Sequence, residues 1–386
     1  MHGYSAPWVF TGDALLSEAT VWVQPDGTLD RVVPGRDPDA EPHDGLLCPG
    51  FINAHCHLEF SHLQGEILPH LGMAGFIRAL TGLRDRDALP HRVAAARQAL
   101  HTLRSGGVSV VVDTSNSAVG AQAAQGVSGI EVLPIVELFG FQDAGAEAAL
   151  AQGEALLSAL PSALGLTPHA PYSVGPALFE GLRRHSLRST ARPRVWSYHL
   201  LESDEERRCV ALSPEGPMAE LFRSWGIPLN YAYPDPLAAL RAFVPEGTHL
   251  GLVHLTQATE EDLSAIAALP AEVWYLLCPQ ANAYLHNQEP PYALFPPERI
   301  CLGTDSLAGT YGFDLLEDLR WLARARPSLS AAQLLATLTV NPAHWLGRYP
   351  LYGSLRPGAR GGVSLIENVT SRPLALTDSS TARRLI

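Results

Sequence analysis

Two histidines one residue apart, His55 and His57, are the first residues whose types and spacing indicate chemistry. They follow an apolar run that starts at Leu46, and such a run is typical of a buried strand. Residues i and i+2 of a strand point to the same face, so both imidazoles can bind one metal ion while Cys56 points away. The pair alone is weak evidence for a metal site, and its meaning depends on the rest of the chain.

Seven later apolar segments also end in polar residues that can carry chemistry. We predict that each segment is a strand and that the polar residues after it contribute to a common site. The segments and the residues that follow them are Val108–Val112 with Asp113, Val132–Val136 with Glu137, Ala163–Thr167 with His169, Arg194–Tyr198 with His199 and Glu202, Thr248–Val253 with His254, Val273–Leu277 with Asn282, and Arg299–Gly303 with Asp305.

Helices are predicted between these strands, because apolar residues recur with helical spacing in Val93–Leu103, Ala146–Leu160 and Leu315–Ala325. Continuous apolar strands that alternate with helices are typical of a parallel sheet covered on both faces. Counting the first run, the sequence supplies eight strands, which predicts the α/β class and a closed (β/α)8 TIM barrel. Chemistry in that fold gathers at the carboxyl ends of the strands, where the polar residues occur here.

A series of motifs along these strands resembles one known family. The motifs are Pro49–His57, His169–Ser173, His199–Glu202, His254, Cys278–Pro279 with Asn282, and Leu302–Ser306. Their order resembles the metal-dependent amidohydrolase superfamily, and within it the branch of aminohydrolases that act on purines and related heterocycles. The resemblance covers roughly residues 45 to 345, and the joint pattern is specific although each motif alone is not.

The resemblance implies a metal site and a set of catalytic residues. It makes His169 and Glu202 substrate contacts, Glu202, His254 and Asp305 the catalytic residues, and His55, His57, His199 and Asp305 the metal ligands. Three imidazoles and one carboxylate suit Zn²⁺ or Fe²⁺ and leave a position for water. We therefore expect one divalent metal ion per subunit, which lowers the pKa of that water from 15.7 to roughly 7.

The implied reaction is hydrolytic deamination of an aromatic amine, with attack of hydroxide on the amine-bearing carbon. In this hypothesis Asp305 takes the proton of the water, which His254 positions, and Glu202 donates a proton to the neighbouring ring nitrogen. The alternative for Glu202 is a first-turn helix carboxylate that only suits the helix dipole. The other histidines, including His62 and His286, are interpreted as structural or solvated.

The chain contains no lysine, and its 27 basic residues are all arginine. Several relatives in the superfamily hold two metal ions bridged by a carbamylated lysine, which this chain cannot form. Schiff-base chemistry and a Walker-type phosphate lysine are excluded for the same reason. A centre with a single metal ion is therefore expected.

The segment Leu58–Leu63 and the short loop after it are similar to the enzymes that deaminate 6-aminodeoxyfutalosine. That substrate is an adenine nucleoside with a benzoate group, used in bacterial menaquinone synthesis, and we expect it here. A benzoate needs a cation or a group of donors, for which Arg78, Arg84 and Arg86 are candidates, although the sequence favours their interpretation as solvated helix arginines. Adenosine, 5′-methylthioadenosine and S-adenosylhomocysteine are alternative substrates, followed by guanine, triazines and cyclic amides.

A non-catalytic scaffold of the same fold is an alternative of a different class. Such relatives typically lack metal ligands, whereas every ligand position is filled in this chain.

The length of 386 residues exceeds one barrel of about 250 residues. The surplus lies at both ends, where Val9–Leu16 and Ala19–Val23 are predicted strands and Tyr352–Gly358 and Val363–Ile366 are their predicted partners. In the family both ends combine into a small β-sandwich. We therefore predict a composite sandwich domain from residues 1–46 and 349–386 and a hydrolase barrel over residues 47–348.

Composition limits the partners and the compartment. The net charge of −12 argues against nucleic-acid binding, which needs a basic face. No apolar run approaches the roughly 20 residues of a membrane span, and the first residues do not form a signal peptide. Five cysteines without paired spacing are typical of buried thiols in a reducing compartment. We expect a cytoplasmic protein with a small nucleoside-like substrate as its partner, and we regard a homodimer as possible.

Overall fold

The first strands of the chain belong to a sheet that also takes in its last strands. The computed structural model describes residues 1–211, 213–227, 229, 233–371 and 374–386. The first five strands are β1 His2–Phe10, β2 Leu15–Val23, β3 Leu29–Pro34, β4 Glu41–Pro42 and β5 Leu46–Pro49. They precede the part of the chain that carries the predicted site.

Eight further strands form two parallel sheets of four strands each, in the orders β6-β7-β8-β9 and β10-β11-β12-β13. Each of the seven later apolar segments contributes one of them, as predicted. The strands are β6 Phe51–Cys56, β7 Val108–Ser115, β8 Glu131–Leu138, β9 Gly165–Pro168, β10 Arg194–Leu200, β11 Thr248–His254, β12 Ala271–Leu277 and β13 Ile300–Leu302.

Hydrogen bonds between strand ends bring the two sheets together on both sides. The N–H of His199, in β10, donates to the carbonyl of His169, just after β9, at 2.9 Å. On the other side Cys56, the last residue of β6, forms a parallel bridge with Asp305, which follows β13. The carboxyl ends of both sheets therefore lie next to each other.

The apolar run from Leu46 to Ala54 was predicted as one strand and is two. Its first part, β5, pairs with β1, and its second part, β6, pairs with β7. The division falls at Gly50, where a side chain would collide with the carbonyl oxygen of Gly361 and with Ser109. Close approach of the two backbones at this glycine allows the chain to leave one sheet and enter the other.

Strands from the carboxyl end complete the first sheet, as expected for a unit built from both ends. The remaining strands are β14 Val363–Glu367, β15 Thr370–Ser371, β16 Leu374–Ala375 and β17 Thr381–Arg384. The sheet has seven strands in the order β17-β14-β5-β1-β2-β3, with β4 beside β1. The predicted strand Tyr352–Gly358 is wrong, because this segment forms turns that include Gly353 (φ 73°) and Gly358 (φ 87°).

Helices follow most strands of the two parallel sheets. The predicted helix Leu315–Ala325 is confirmed residue for residue, and Ala146–Leu160 ends one residue earlier than predicted. The described part of the chain contains no helix that is both long and apolar enough to cross a bilayer. The helices are α1 Gly72–Leu83, α2 Leu89–Ser105, α3 Val119–Ala124, α4 Ala146–Ala159, α5 Pro176–Arg188, α6 Asp204–Cys209, α7 Gly216–Ser224, α8 Ala238–Phe243, α9 Glu260–Ala267, α10 Pro279–His286, α11 Leu315–Ala325, α12 Ala331–Leu338 and α13 Val340–Trp345, and short 3₁₀ helices cover Leu58–Leu63, Asp143–Gly145, Tyr292–Leu294 and Pro297–Arg299.

Both faces of the parallel strands are buried, which explains why their sequences are apolar without alternation. In β7, Val110 and Val112 belong to a core that also contains Ile52 of β6, whereas Val111 belongs to the larger core that includes the helices. Strands buried on both faces hold their carboxyl ends rigidly.

A buried side-chain pair fixes β6 relative to the segment after β13. The Nδ2 of Asn53 donates to the Oγ1 of Thr304 at 2.8 Å, and the N–H of Thr304 donates to the Oδ1 of Asn53 at 3.1 Å. Neither residue is exposed to solvent. This pair positions the segment that carries Asp305.

We predict that Asn53→Ala lowers the free energy of unfolding by about 1–3 kcal/mol, because it leaves the buried N–H of Thr304 without an acceptor. Urea unfolding followed by circular dichroism measures the change. The control is Gln98→Ala on the exposed face of α2, which should stay within about 0.5 kcal/mol of the parent. An Asn53→Ala protein as stable as the control would contradict the role of the pair.

Candidate active site

Three imidazoles predicted as metal ligands lie together at the carboxyl ends of β6 and β10. One ring nitrogen from each of His55, His57 and His199 lies within 4.8 Å of the others, and all three residues are buried. The Nδ1 of His55 is 3.3 Å from the Oγ1 of Thr114. The Nε2 of His55 has no hydrogen-bond partner within the described ranges.

Asp305 adds a carboxylate to this cluster. Its Oδ1 lies 3.7 Å from the Nε2 of His55 and 3.5 Å from the Nε2 of His57. The N–H of Asp305 donates to the carbonyl of His55 at 3.1 Å, which holds the aspartate against the first strand of the parallel sheets. Asp305 therefore lies against two of the three imidazoles of the cluster.

The donor set fits one divalent cation. Burial and the neighbouring imidazoles lower the pKa of His55 well below its usual range, so its ring is in the neutral form that binds metals. A buried imidazole nitrogen without a hydrogen-bond partner destabilises the folded protein unless another group binds its lone pair. Three nitrogen donors and one oxygen donor suit zinc or ferrous iron.

Glu202 lies beside this cluster and between two histidines. Its Oε1 is 3.6 Å from the Nε2 of His254 and 3.6 Å from the Nε2 of His286. Burial raises the pKa of Glu202, but His254 first and then His286 outweigh this and lower it to about 2. The carboxyl group is therefore ionised near neutral pH.

His286 was interpreted from the sequence as structural or solvated, and the structure corrects this. It lies at the end of α10, four residues after Asn282, and these two positions share a face of the helix. The Oδ1 of Asn282 is 2.8 Å from the Nδ1 of His254. The spacing of His286 from the motif residue Asn282 is the signal that could have identified it.

His169 is close to the metal cluster without joining it. Its ring centroid lies 4.8 Å from that of His199, and its Nδ1 is 2.6 Å from the Oγ of Ser173. The residue is half-buried and lines the cavity described next, where a substrate contact would lie. His62, by contrast, is buried outside this cavity wall.

A cavity of about 350 Å³ opens from the cluster towards α1 and α7. This volume is in the range of small-molecule sites. The polar end holds the cluster, and the opposite wall is apolar and aromatic. The apolar lining residues are Phe60, Met73, Phe76, Ile77, Leu80, Phe139, Phe141, Tyr172, Phe222, Trp225 and Ile227.

Arg84 is the one arginine among the described residues that line the cavity. Its guanidinium lies 5.7 Å from the ring centre of Phe60, and its Nε lies 3.3 Å from Asp85. Of the other two candidates, Arg78 is exposed on α1 and Arg86 pairs with Glu66 at 3.1 Å. The structure thus selects one of the three predicted arginines.

Comparisons with known proteins identify relatives of this chain. The model of the amidohydrolase family matches residues 46–373. The chain is 26% identical over 343 residues to aminodeoxyfutalosine deaminase from a Nitratiruptor species, and the match covers 81% of this chain and 77% of that protein.

Two solved structures show the same fold. Aminofutalosine deaminase from Helicobacter pylori, in complex with methylthio-coformycin, superposes with a TM-score of 0.78 at 21% identity and covers 96% of this chain and 93% of that one. An adenosine deaminase from Xanthomonas campestris with bound zinc gives a TM-score of 0.71 at 24% identity over 95% of this chain and 84% of that one.

We predict that His57→Asn and Asp305→Asn each reduce bound metal to less than about a tenth of an equivalent, because each removes a ligand from a site with four. Elemental analysis of the purified proteins measures the content. His101→Asn, on the exposed face of α2, is the control and should keep the parental content. Parental metal content in both ligand variants would contradict the assignment.

Proposed function

Because the chain belongs to the metal-dependent amidohydrolase family, we propose that it is a hydrolytic deaminase of an adenine-type nucleoside, with 6-aminodeoxyfutalosine as the substrate. The products would be futalosine and ammonia, in menaquinone biosynthesis. One observation carries the proposal, namely a cluster of metal-binding type at the polar end of a cavity whose opposite wall is aromatic and carries one arginine. The likeness to an aminodeoxyfutalosine deaminase supports it.

His55, His57, His199 and Asp305 would hold one divalent ion in this proposal. We propose zinc, with ferrous iron as the alternative, because the donor set suits both. When bound, the ion supplies hydroxide near neutral pH by lowering the pKa of water. The zinc in the adenosine deaminase of the same fold supports this choice.

Asp305, His254 and Glu202 would move the protons. Asp305 accepts a proton from the attacking water, and His254, held by Asn282, fixes the position of that water. Glu202 then protonates the ring nitrogen beside the attacked carbon, and the proton held by Asp305 passes to the leaving amine. Because Glu202 is ionised in the free enzyme, it would have to take up a proton before the attack. The hydroxyl of the adduct would return that proton to Glu202 as the carbonyl forms and ammonia leaves.

The apolar wall and Arg84 would hold the part of the substrate remote from the reacting amine. Aromatic side chains from α1 and from the segments after β8 and α7 can contact the benzoate ring of 6-aminodeoxyfutalosine. The guanidinium of Arg84 can pair with the carboxylate, which is the anion that its planar donors match best.

A second candidate is deamination of 5′-methylthioadenosine or adenosine. The apolar wall would equally accept a methylthio group, and the Helicobacter pylori enzyme of the same fold is solved with methylthio-coformycin. Arg84 would have no anionic partner in the substrate in that case, which allows an experiment to separate the two.

We also propose that the strands β6 to β13 close into one TIM barrel over residues 47–348, with a small sandwich domain from residues 1–46 and 349–386. The hydrogen bonds between strand ends on both sides of the two sheets support the barrel, and the mixed sheet from both chain ends supports the second domain. A cytoplasmic location is consistent with five buried cysteines that form no disulfide. The homodimer stays a prediction.

We predict that Glu202→Gln lowers kcat by about 10²- to 10⁴-fold, because it removes the general acid, while the metal content stays at the parental level. Ammonia release and elemental analysis on the same sample measure both quantities. The control is Asp204→Asn, a carboxylate in the first turn of α6 that is about half exposed and pairs with Arg208. Equal activities of the two variants would mean that Glu202 is not catalytic and only interacts favourably with the helix dipole.

We predict that kcat/KM of the parent is highest for 6-aminodeoxyfutalosine among that compound, adenosine, methylthioadenosine, S-adenosylhomocysteine and guanine. Arg84→Met should raise KM for 6-aminodeoxyfutalosine about 10-fold or more through loss of a charge-assisted hydrogen bond, with little change for adenosine. Arg78→Met, exposed on the preceding helix α1, is the control. If both variants keep the parental KM, the carboxylate is not bound at Arg84.

A further inference from the structure

Glu137 is a buried carboxylate that the proposed reaction does not use. It lies near the end of β8, lines the cavity, and is 3% exposed. Its Oε1 has no hydrogen-bond partner in the residues that the structure describes. A buried carboxylate oxygen without a hydrogen-bond donor lowers the stability of the folded protein, so such a group in a cavity wall suggests a function.

His199 and His169 are the side chains nearest to the Glu137 carboxylate, and neither makes a well-formed hydrogen bond to its Oε1. The Nδ1 of His199 lies 3.3 Å from its Oε1, but in the tautomer with hydrogen on Nδ1 this nitrogen donates to the carbonyl of His169, at 3.1 Å. The side-chain amide of Asn116 donates to the backbone carbonyl of Glu137, at 2.5 Å. Because Glu137 lines the cavity, a ligand bound there could supply the donor that Oε1 lacks.

The neighbours of Glu137 indicate which part of a ligand would supply this donor. Its carboxylate lies within 4.8 Å of ring nitrogens of His199, a proposed metal ligand, and of His169, the proposed substrate contact. A ligand group that reaches Glu137 would therefore lie next to the reacting base. In an adenine-type nucleoside the groups next to the base are the hydroxyls of the sugar. A carboxylate accepts hydrogen bonds and cannot donate, which matches a hydroxyl donor.

We propose that Glu137 is a specificity residue that accepts a hydrogen bond from a ribose hydroxyl of the substrate. The inference rests on the proposed nucleoside substrate and adds a sugar contact to it. Glu137 selects ribonucleosides over their deoxy analogues, because a deoxy sugar leaves the buried carboxylate oxygen without its donor.

The test compares adenosine, 2′-deoxyadenosine and 3′-deoxyadenosine as substrates of the metal-loaded parent and of Glu137→Met. Loss of the recognised hydroxyl should lower kcat/KM of the parent about 10- to 100-fold, the range for a hydrogen bond to a charged acceptor. In Glu137→Met this ratio should fall below about 3-fold, and Glu137→Gln, which keeps a neutral acceptor, should be intermediate and serves if the methionine variant does not fold. The dissociation constants of coformycin and 2′-deoxycoformycin, from tryptophan fluorescence, give a second measurement independent of turnover.

The control is Glu59→Gln, a buried carboxylate nearby whose oxygens are satisfied by the N–H of Asn116 and the hydroxyl of Ser117. It should change all three values of kcat/KM by one common factor. A common factor in Glu137→Met would overturn the inference, and so would equal use of all three nucleosides by the parent. Two equivalents of metal in the parent and one in Glu137→Met would instead make Glu137 a ligand of a second cation with His169 and His199.

Failure of the proposed function looks different. A parent that neither deaminates nor binds any nucleoside, 6-aminodeoxyfutalosine included, would remove the nucleoside substrate and this inference with it. Deamination with unchanged sugar selectivity in the Glu137 variants removes only the inference.

Discussion

Three imidazoles and a carboxylate held together away from water are the constraint on which the rest of this structure depends. Buried polar groups are stable only when each has a partner, so the cluster requires a surrounding layer of donors and acceptors. Thr114 supplies one for His55, and the carbonyl of His169 supplies one for His199. The Nε2 of His55 has no hydrogen-bond partner among the described residues, so its lone pair is available to a cation.

The same constraint explains the backbone at the strand ends. Leu201, His254, Leu255 and Asp305 have positive φ angles of 54°, 73°, 55° and 57°, which non-glycine residues adopt only at a cost. The first three lie at or directly after the end of a parallel strand, and Asp305 lies three residues after β13, so all four occur where the chain leaves the strands. Rigid strands buried on both faces, and the Asn53–Thr304 pair, stabilise these turns. Packing of the buried strands thus offsets the free-energy cost of the strained backbone at the site.

The cavity combines two environments that suit two parts of one ligand. Its polar end lies at the carboxyl ends of the strands, whereas the apolar wall comes mainly from α1 and α7 and the segments next to them. The strands hold the polar residues of the cluster in place, and the helices and loops determine the shape of the apolar end of the cavity. Because these two sets of residues lie on different elements, the reaction type and the choice of substrate can vary independently in this fold.

The strands and the reaction class could be predicted from the amino-acid sequence, because apolar runs and motifs are read directly along the chain. The proximity of His55, His57, His199 and Asp305 could be expected, since each lies at or just after the carboxyl end of a strand and parallel strands end at one edge. The division of the run after Leu46 at Gly50 could not be predicted, since it depends on a contact with residues more than 300 positions away. Three observations required the folded structure. Arg84 lines the cavity and the other two candidate arginines do not, His286 lies beside Glu202, and the Oε1 of Glu137 has no hydrogen-bond partner among the described residues. Those outcomes depend on distances between separate elements, and sequence spacing within one element does not encode such distances.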